Sequence, residues 1–198
     1  TLLISDKKAW FLGGSARIPT PLLITPTEPI LGIYGFSGGF GYNVAKRPGF
    51  SGRVTQPEEL VFNSRGSLVQ AGVLLGDSAG GAAWWGEINL TGSFTGPAID
   101  EIELAGRVTF LNDPTKNLPR FVARTSEWDE MDRTGYMVLS LEPRKPRFTA
   151  TAGSDFYIPT RDVSLIELSG QSQLKFVPSE RIFYIALGWN DRPSNRKP

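Results

Sequence analysis

The chain has 198 residues and a formal net charge of +1, and it contains 22 Gly and 15 Pro but no His and no Cys. The missing residue types exclude His-dependent catalytic triads, thiolate and imidazole metal sites, and disulfides. The near-neutral charge argues against a nucleic-acid partner, and no apolar run approaches the roughly 20 residues of a membrane helix, so we expect no membrane span and no cofactor.

The length favours a single β-rich domain over residues 1–198, because it closes one core and because frequent Gly and Pro interrupt long helices. The sequence begins at Thr1 with no signal peptide, so we expect a processed product or a fragment of a longer repetitive protein. The absence of Cys fits any compartment, since it means only that no disulfide is available.

Alternation of apolar and polar residues predicts strands along most of the chain. At 86–94, for example, Ile88 and Leu90 share one face of a strand while Glu87 and Asn89 share the other. We expect the apolar face to be buried and the polar face to be in water. Strands are predicted in this way, or from β-forming residues between turn signals, at 10–18, 30–36, 67–75, 86–94, 101–111, 120–124, 136–141, 147–152, 166–176 and 181–187.

The fold class predicted from these segments is all-β, with antiparallel sheets arranged as a sandwich or as an elongated, strongly coiled sheet and with very little helix. The helix signal is a short one, in which Pro57 precedes two acidic residues. Several strands share an apolar residue, Leu and Gly at steps of two, which indicates either an internal repeat or amphipathic strands in a Gly-rich chain. A glycine in mid-strand leaves room for a large ring or a bend of the sheet.

The segment GDSAGG at 76–81 contains the G-x-S-x-G pattern of a nucleophile elbow and resembles esterases of the hormone-sensitive lipase kind. That elbow needs a following helix and a His to activate Ser78, whereas this chain continues into a strand and contains no His. The segment is therefore predicted to be a hairpin loop.

Paired carboxylates remain possible without His, because a glycoside hydrolase needs only two acids at a suitable distance. The candidates are Glu87 with Glu101 or Glu103, on neighbouring strands. The stretch around Glu101 faintly resembles laminarinase-like glycoside hydrolases but lacks their order of acids. One acid of such a pair must be partly buried, and these polar faces are expected to be exposed, so we predict that the protein is not an enzyme.

Other polar motifs are interpreted as surface features. Four acids at 127–132 do not match a calcium-binding loop, and a charged surface loop is the favoured interpretation, so no metal site is predicted. The glycosylation sequon at Asn89 lies inside a predicted strand, which argues against its use. The four acids of the stretch at 127–132 are Glu127, Asp129, Glu130 and Asp132.

The run GGFGYNV at 38–44, the Gly-containing strands and the terminal IFYIALGWNDRP are similar to segments of very large, β-rich, largely uncharacterised bacterial proteins. The resemblance implies a piece of a repetitive surface or scaffold protein, at an extracellular or cell-surface location. It carries no catalytic residue.

Two functions are consistent with these patterns. The first is a non-enzymatic structural or interaction module, whose partners are copies of itself or a longer parent chain. The alternative is a lipid- or carbohydrate-binding module, with the apolar face and its Gly notches providing the ligand space. The residues predicted to line such a site are Phe36, Phe40, Tyr42, Trp84 and Trp85.

Overall fold

The computed structural model describes residues 2–5, 8–24, 31–78, 80–111, 119–122, 131, 133–158 and 165–188. Within these residues a single antiparallel sheet of ten strands is formed, in which each strand pairs with the next along the chain. The strands are β1 (Leu2–Ser5), β2 (Ala9–Leu23), β3 (Leu31–Lys46), β4 (Leu60–Asp77), β5 (Trp84–Thr95), β6 (Ala98–Phe110), β7 (Arg133–Glu142), β8 (Arg147–Ile158), β9 (Ile166–Val177) and β10 (Ile182–Leu187).

The prediction of an all-β, antiparallel fold is confirmed, and of the two arrangements considered the structure has the single sheet. Its helical content over the described ranges consists of two three-residue 3-10 turns, Pro57–Glu59 and Pro178–Glu180. The first of these is the short helix that the sequence predicts. No helix in these ranges is long and apolar enough to cross a membrane.

Most predicted strands are present, although several are longer than expected. Residues 31–36 of the predicted segment 30–36 are only the first part of β3, which continues through the Gly-rich run to Lys46, and residue 30 lies outside the described residues. Residues 120–122 do not form the predicted strand, and 123–124 lie outside the described residues. Gly76 and Asp77 end β4, and Ser78 lies exposed in the hairpin connection from β4 to β5, as predicted for this segment.

The sheet is strongly curved. The ammonium of Lys46 on β3 lies 2.5 Å from a carboxylate oxygen of Glu103 on β6, although three strand spacings of about 4.8 Å separate these strands in a flat sheet. Cα atoms of β3 and β5 likewise come within 8 Å of each other, although β4 lies between them. The face that carries Lys46 and Glu103 is therefore concave, and we call it the inner face; the opposite, convex face is the outer face.

The prediction of which face is buried is wrong. On β5 the inner-face side chains of Glu87 and Asn89 are 5% and 3% exposed, whereas the outer-face side chains of Ile88 and Leu90 are 40% and 49% exposed. The alternation is as predicted, but the polar residues are inside. The reason is curvature: the polar face lies on the concave side, where connecting segments and neighbouring side chains cover it.

Two apolar clusters lie on the inner face, near the two ends of the strands. Near the start of β2, Phe11 packs with Val44 and Leu68 and with the connecting segment between β3 and β4. Near the opposite end, Trp85 packs with Leu74 and with the segment 119–122. Buried polar residues of the inner face, among them Gln70, Asn89 and Thr91, lie between these clusters.

Candidate functional site

The outer face carries an unusually large exposed apolar surface. Strand pairing places directly opposed residues on the same face, so the strand register identifies the residues of the outer face on every strand. From Leu12 on β2 to Phe176 on β9, these positions carry apolar side chains, Gly or Ser, and many of the apolar side chains are at least one-third exposed. Large exposed apolar patches are rare on soluble monomers and usually mark a surface that is covered by something else.

Aromatic side chains of the outer face lie in two rows, one near each end of the strands. In the first row Trp10 packs against Tyr42, with their ring centroids 6.3 Å apart. In the second row the rings of Phe110 and Phe156 stack at 5.8 Å. The first row consists of Trp10, Phe40, Tyr42, Phe94, Phe148, Phe176 and Phe183, and the second of Trp84, Phe110 and Phe156. Phe36 lies between the rows, because its partner Val73 pairs with Ile88.

The band between the two rows is free of charge. On the described strands β2 to β10 it carries apolar side chains, Gly and Ser, and no Asp, Glu, Lys or Arg. Arg133 pairs with Phe156 and so lies at the level of the second row. The band is 11 residues long on β5, from Trp84 through Phe94, and 9 residues long on β8, from Phe148 through Phe156.

An apolar groove crosses the outer face beside the second row, with a cavity volume of about 520 Å³. Its floor is formed by Gly86, Gly106 and Gly135, which lie on three consecutive strands. The aromatic walls are Trp84, Phe110 and Phe156, and the opposite wall is formed by Ile88, Leu104 and Met137. The groove is open because Gly106 and Gly135 carry no side chain between these walls.

Residues between β3 and β4 cover the inner face. The backbone N–H of Gly52 donates to the carboxylate of Glu103 at 2.9 Å. Two further hydrogen bonds join the backbone of Val54 to the side-chain amide of Gln70, at 3.0 and 3.1 Å. The covering segment thus gives the polar inner-face groups the partners that water would otherwise supply.

A second covering segment meets the first. The guanidinium of Arg53 donates to the carbonyl of Val122 at 2.9 Å and lies 5.0 Å from the centre of the Phe121 ring. Both segments therefore lie over the concave side of β2 to β6. Sequence patterns did not reveal this, because the contact joins residues 69 positions apart.

The three candidate carboxylates occupy different environments along the inner face. Glu103 is buried with Lys46, whose ammonium also lies 3.7 Å from Glu101. Glu87 is opposite Arg107 in the strand register, whereas Glu103 is opposite Thr91. Four residues of strand, about 13 Å, thus separate Glu87 from the level of Glu103.

The arrangement of these acids does not resemble a hydrolytic pair. The carboxylates of glycoside hydrolases lie within about 10 Å of each other across an open cleft. Here Glu103 is neutralised by Lys46 and hydrogen-bonded by Gly52, and a carboxylate oxygen of Glu87 accepts from the Asn89 side chain at 3.3 Å. Of these contacts, the hydrogen bond from Gly52 to Glu103 holds the covering segment on the sheet.

The residues predicted to line a ligand site do not form one surface. Phe36, Phe40, Tyr42 and Trp84 lie on the outer face, where the first three are exposed. Trp85 lies on the inner face and is fully buried. Adjacent strand residues point to opposite faces, so the two tryptophans cannot stack on one sugar.

The glycosylation sequon and the acidic stretch can also be compared with the structure. Asn89 lies within β5 with its side chain buried, which agrees with the argument against glycosylation. The acidic stretch at 127–132 falls outside the described residues except for Met131. In the part of the chain that the structure describes, no cluster of side chains is suited to hold a metal ion.

Comparisons with known proteins found no similar protein. The chain matches no protein family, and neither the curated proteins nor the solved structures contain a significant match. The function is therefore argued from the chemistry of the two faces.

Proposed function

We propose that this protein is a non-enzymatic structural module of a membrane, in which lipid hydrocarbon covers the outer face of the sheet. The observation that carries the proposal is the reversed burial on β5, where Glu87 and Asn89 are buried and Ile88 and Leu90 are exposed. Alternation with apolar residues outward and polar residues inward is the pattern of strands that cross a lipid layer.

The dimensions of the apolar band support this proposal. A strand that crosses the hydrocarbon layer needs about 9–11 residues, and the band on β8 and β5 contains 9 and 11. Aromatic side chains favour the two membrane–water boundaries, where the ring is in contact with hydrocarbon and its edge with water. The two aromatic rows bound the band at these levels.

The absence of charge across this part of the outer face also favours lipid. A charged side chain near the middle of the hydrocarbon costs about 2–4 kcal/mol on a lipid-facing strand. A convex apolar surface distributed over so many strands would need a partner that wraps around it, and fluid lipid does so without a matching shape.

This proposal departs from the expectation of no membrane span. That expectation considered only continuous apolar runs of helix length. Strands alternate in polarity and carry no such run, so hydropathy along the chain does not reveal them. The proposed location is a membrane of the cell surface.

Self-association is a second candidate function, and it is compatible with the first. Strands β1 and β10 each have one paired neighbour in the described sheet, β2 and β9. Unpaired backbone groups are costly in hydrocarbon, so the free edges favour strand pairing with another copy or with a longer parent chain. Sedimentation in detergent at several protein concentrations tests this candidate, and a clean monomer throughout would contradict it.

The lipid proposal is tested by refolding the protein with phosphatidylcholine vesicles and floating them in a density gradient. We expect the protein to float with the vesicles and to stay with them after alkaline carbonate extraction. A protein that is monodisperse in water without detergent and sediments away from the vesicles would overturn the proposal.

A further inference from the structure

The groove beside the second aromatic row differs from the rest of the outer face because it is a concave site. Its floor of Gly86, Gly106 and Gly135 lies below the level of the walls, and its cavity volume of about 520 Å³ falls in the range of small-molecule sites. We propose that this groove holds a single acyl chain of a membrane lipid as an ordered ligand. The inference rests on the proposed function, since it assumes that lipid reaches the outer face.

The chemistry of the floor selects an acyl chain over a peptide. The floor glycines lie on paired strands: Gly86 and Gly135 are both opposite Val108, and Gly106 is opposite Ile88 and Met137. Their backbone groups are committed to the antiparallel ladder and offer little to a ligand. A peptide would bury its own N–H and C=O groups without partners, at about 1–3 kcal/mol each, whereas an acyl chain has no such groups.

The side chains around the groove support the same ligand. Glu87, Arg107 and Tyr136 adjoin the groove, but strand alternation directs their side chains to the inner face. On the outer side, Ser154 contributes the one hydroxyl among the lining residues that the structure describes, and the other side chains are apolar. Trp84 and Phe156 form a rigid wall against which methylene groups pack.

Gly106 is the position at which to test the site. A Cβ atom added there would come no closer than 4.0 Å to any neighbouring atom, the nearest being the carbonyl oxygen of Glu87. The variant Gly106→Leu therefore fills the groove without disturbing the ladder. Gly14→Leu is the matched control, because Gly14 also lies on the outer face, has no atom within 4 Å of an added Cβ, and is on β2 outside the groove.

The experiment uses the full chain, refolded with phosphatidylcholine and then transferred to detergent for native mass spectrometry. We expect the parent and Gly14→Leu to retain one phosphatidylcholine molecule. For Gly106→Leu we expect the ratio of lipid-bound to free protein to fall about tenfold, because the leucine side chain takes the space of the acyl chain. Gly106→Ala is the smaller substitution if the Leu variant fails to fold, and it should give a weaker loss in the same direction.

The outcomes separate this inference from the proposed function. If all variants float with vesicles and only the Gly106 variants lose the retained lipid, the groove is the binding site. If all float but retain lipid equally, or retain none, the groove inference is overturned while the membrane proposal stands. If the parent does not float with vesicles, the proposed function fails, and the groove inference fails with it.

Discussion

The two faces of β5 carry residues of similar size in opposite surroundings. Trp84 and Trp85 are adjacent in sequence, yet Trp84 lines the outer groove while Trp85 is fully buried on the inner face. Likewise Leu90 is half exposed while its neighbour Asn89 is buried. The comparison teaches that a strand's polarity pattern fixes which residues share a face, and the curvature of the sheet decides which face is the interior.

The two tryptophans give the sharpest test of this comparison. We expect Trp85→Ala to lower the free energy of unfolding by about 3–5 kcal/mol, because it leaves a cavity in the inner cluster with Leu74. Trp84→Ala, on the outer face, should cost clearly less. Urea unfolding in detergent micelles, followed by circular dichroism, measures both values, and equal losses would contradict the assignment of the faces.

The ion pair between Lys46 and Glu103 tests what holds the inner face together. Lys46→Met leaves the buried Glu103 carboxylate without its cation, and we expect a loss of about 3 kcal/mol. The double variant Lys46→Met/Glu103→Met should recover most of it. Arg144→Met is the control, because its pair with Asp100 is partly exposed to solvent and contributes at most about 1 kcal/mol.

The outer face is tested by adding a charge at two depths. In phosphatidylcholine vesicles, Leu90→Arg should destabilise the protein by about 2–4 kcal/mol, because Leu90 lies within the band. Tyr42→Arg lies in the first aromatic row and should cost at most about 1 kcal/mol. Equal effects of the two substitutions on the denaturant midpoint would argue against a lipid layer at this band.

The smallest expected effect comes from glycines on the two faces. A Cβ at Gly72 would clash with the side chains of Asn89 and Ser37 on the inner face, so Gly72→Ala should cost about 1–3 kcal/mol. Gly170 has no atom within 4 Å of an added Cβ, and Gly170→Ala should be neutral or slightly stabilising. Thermal unfolding of both variants in the same detergent provides the measurement, and equal losses at Gly72 and Gly170 would contradict the assignment of the two glycines to opposite faces.

Much of the fold could be predicted from the sequence, because strands with period-two alternation are a local property of the chain. The clear alternations around Leu90 and Leu104 lie on adjacent strands and face the same side, as the pattern indicates. The Gly-rich part of β3 was missed, since Gly39 and Gly41 have weak strand propensity and owe their place to the ring of Phe11 packed beside them.

The inside and the outside could not be assigned from alternation alone, because the pattern is the same when the faces are exchanged. The aromatic residues carried a usable signal: Trp84 and Phe94 stand at the two ends of the apolar face of one strand, and Phe148 and Phe156 do so on another. The covering segments carried no such signal. Their hold on the inner face depends on curvature that brings Gly52 to Glu103, 51 residues away.

The order of the strands has a consequence for folding. Because every strand pairs with its neighbour in sequence, the ladder can grow by one hairpin at a time. Most steps close a short loop, and the connections from Lys46 to Leu60 and from Phe110 to Arg133 are the longer ones. The segment after β3 is different, since its partner Glu103 belongs to β6, which lies two hairpins further along the chain. Docking of this segment must therefore wait until β6 has joined the sheet, and the polar interior is sealed after the strands that surround it have assembled.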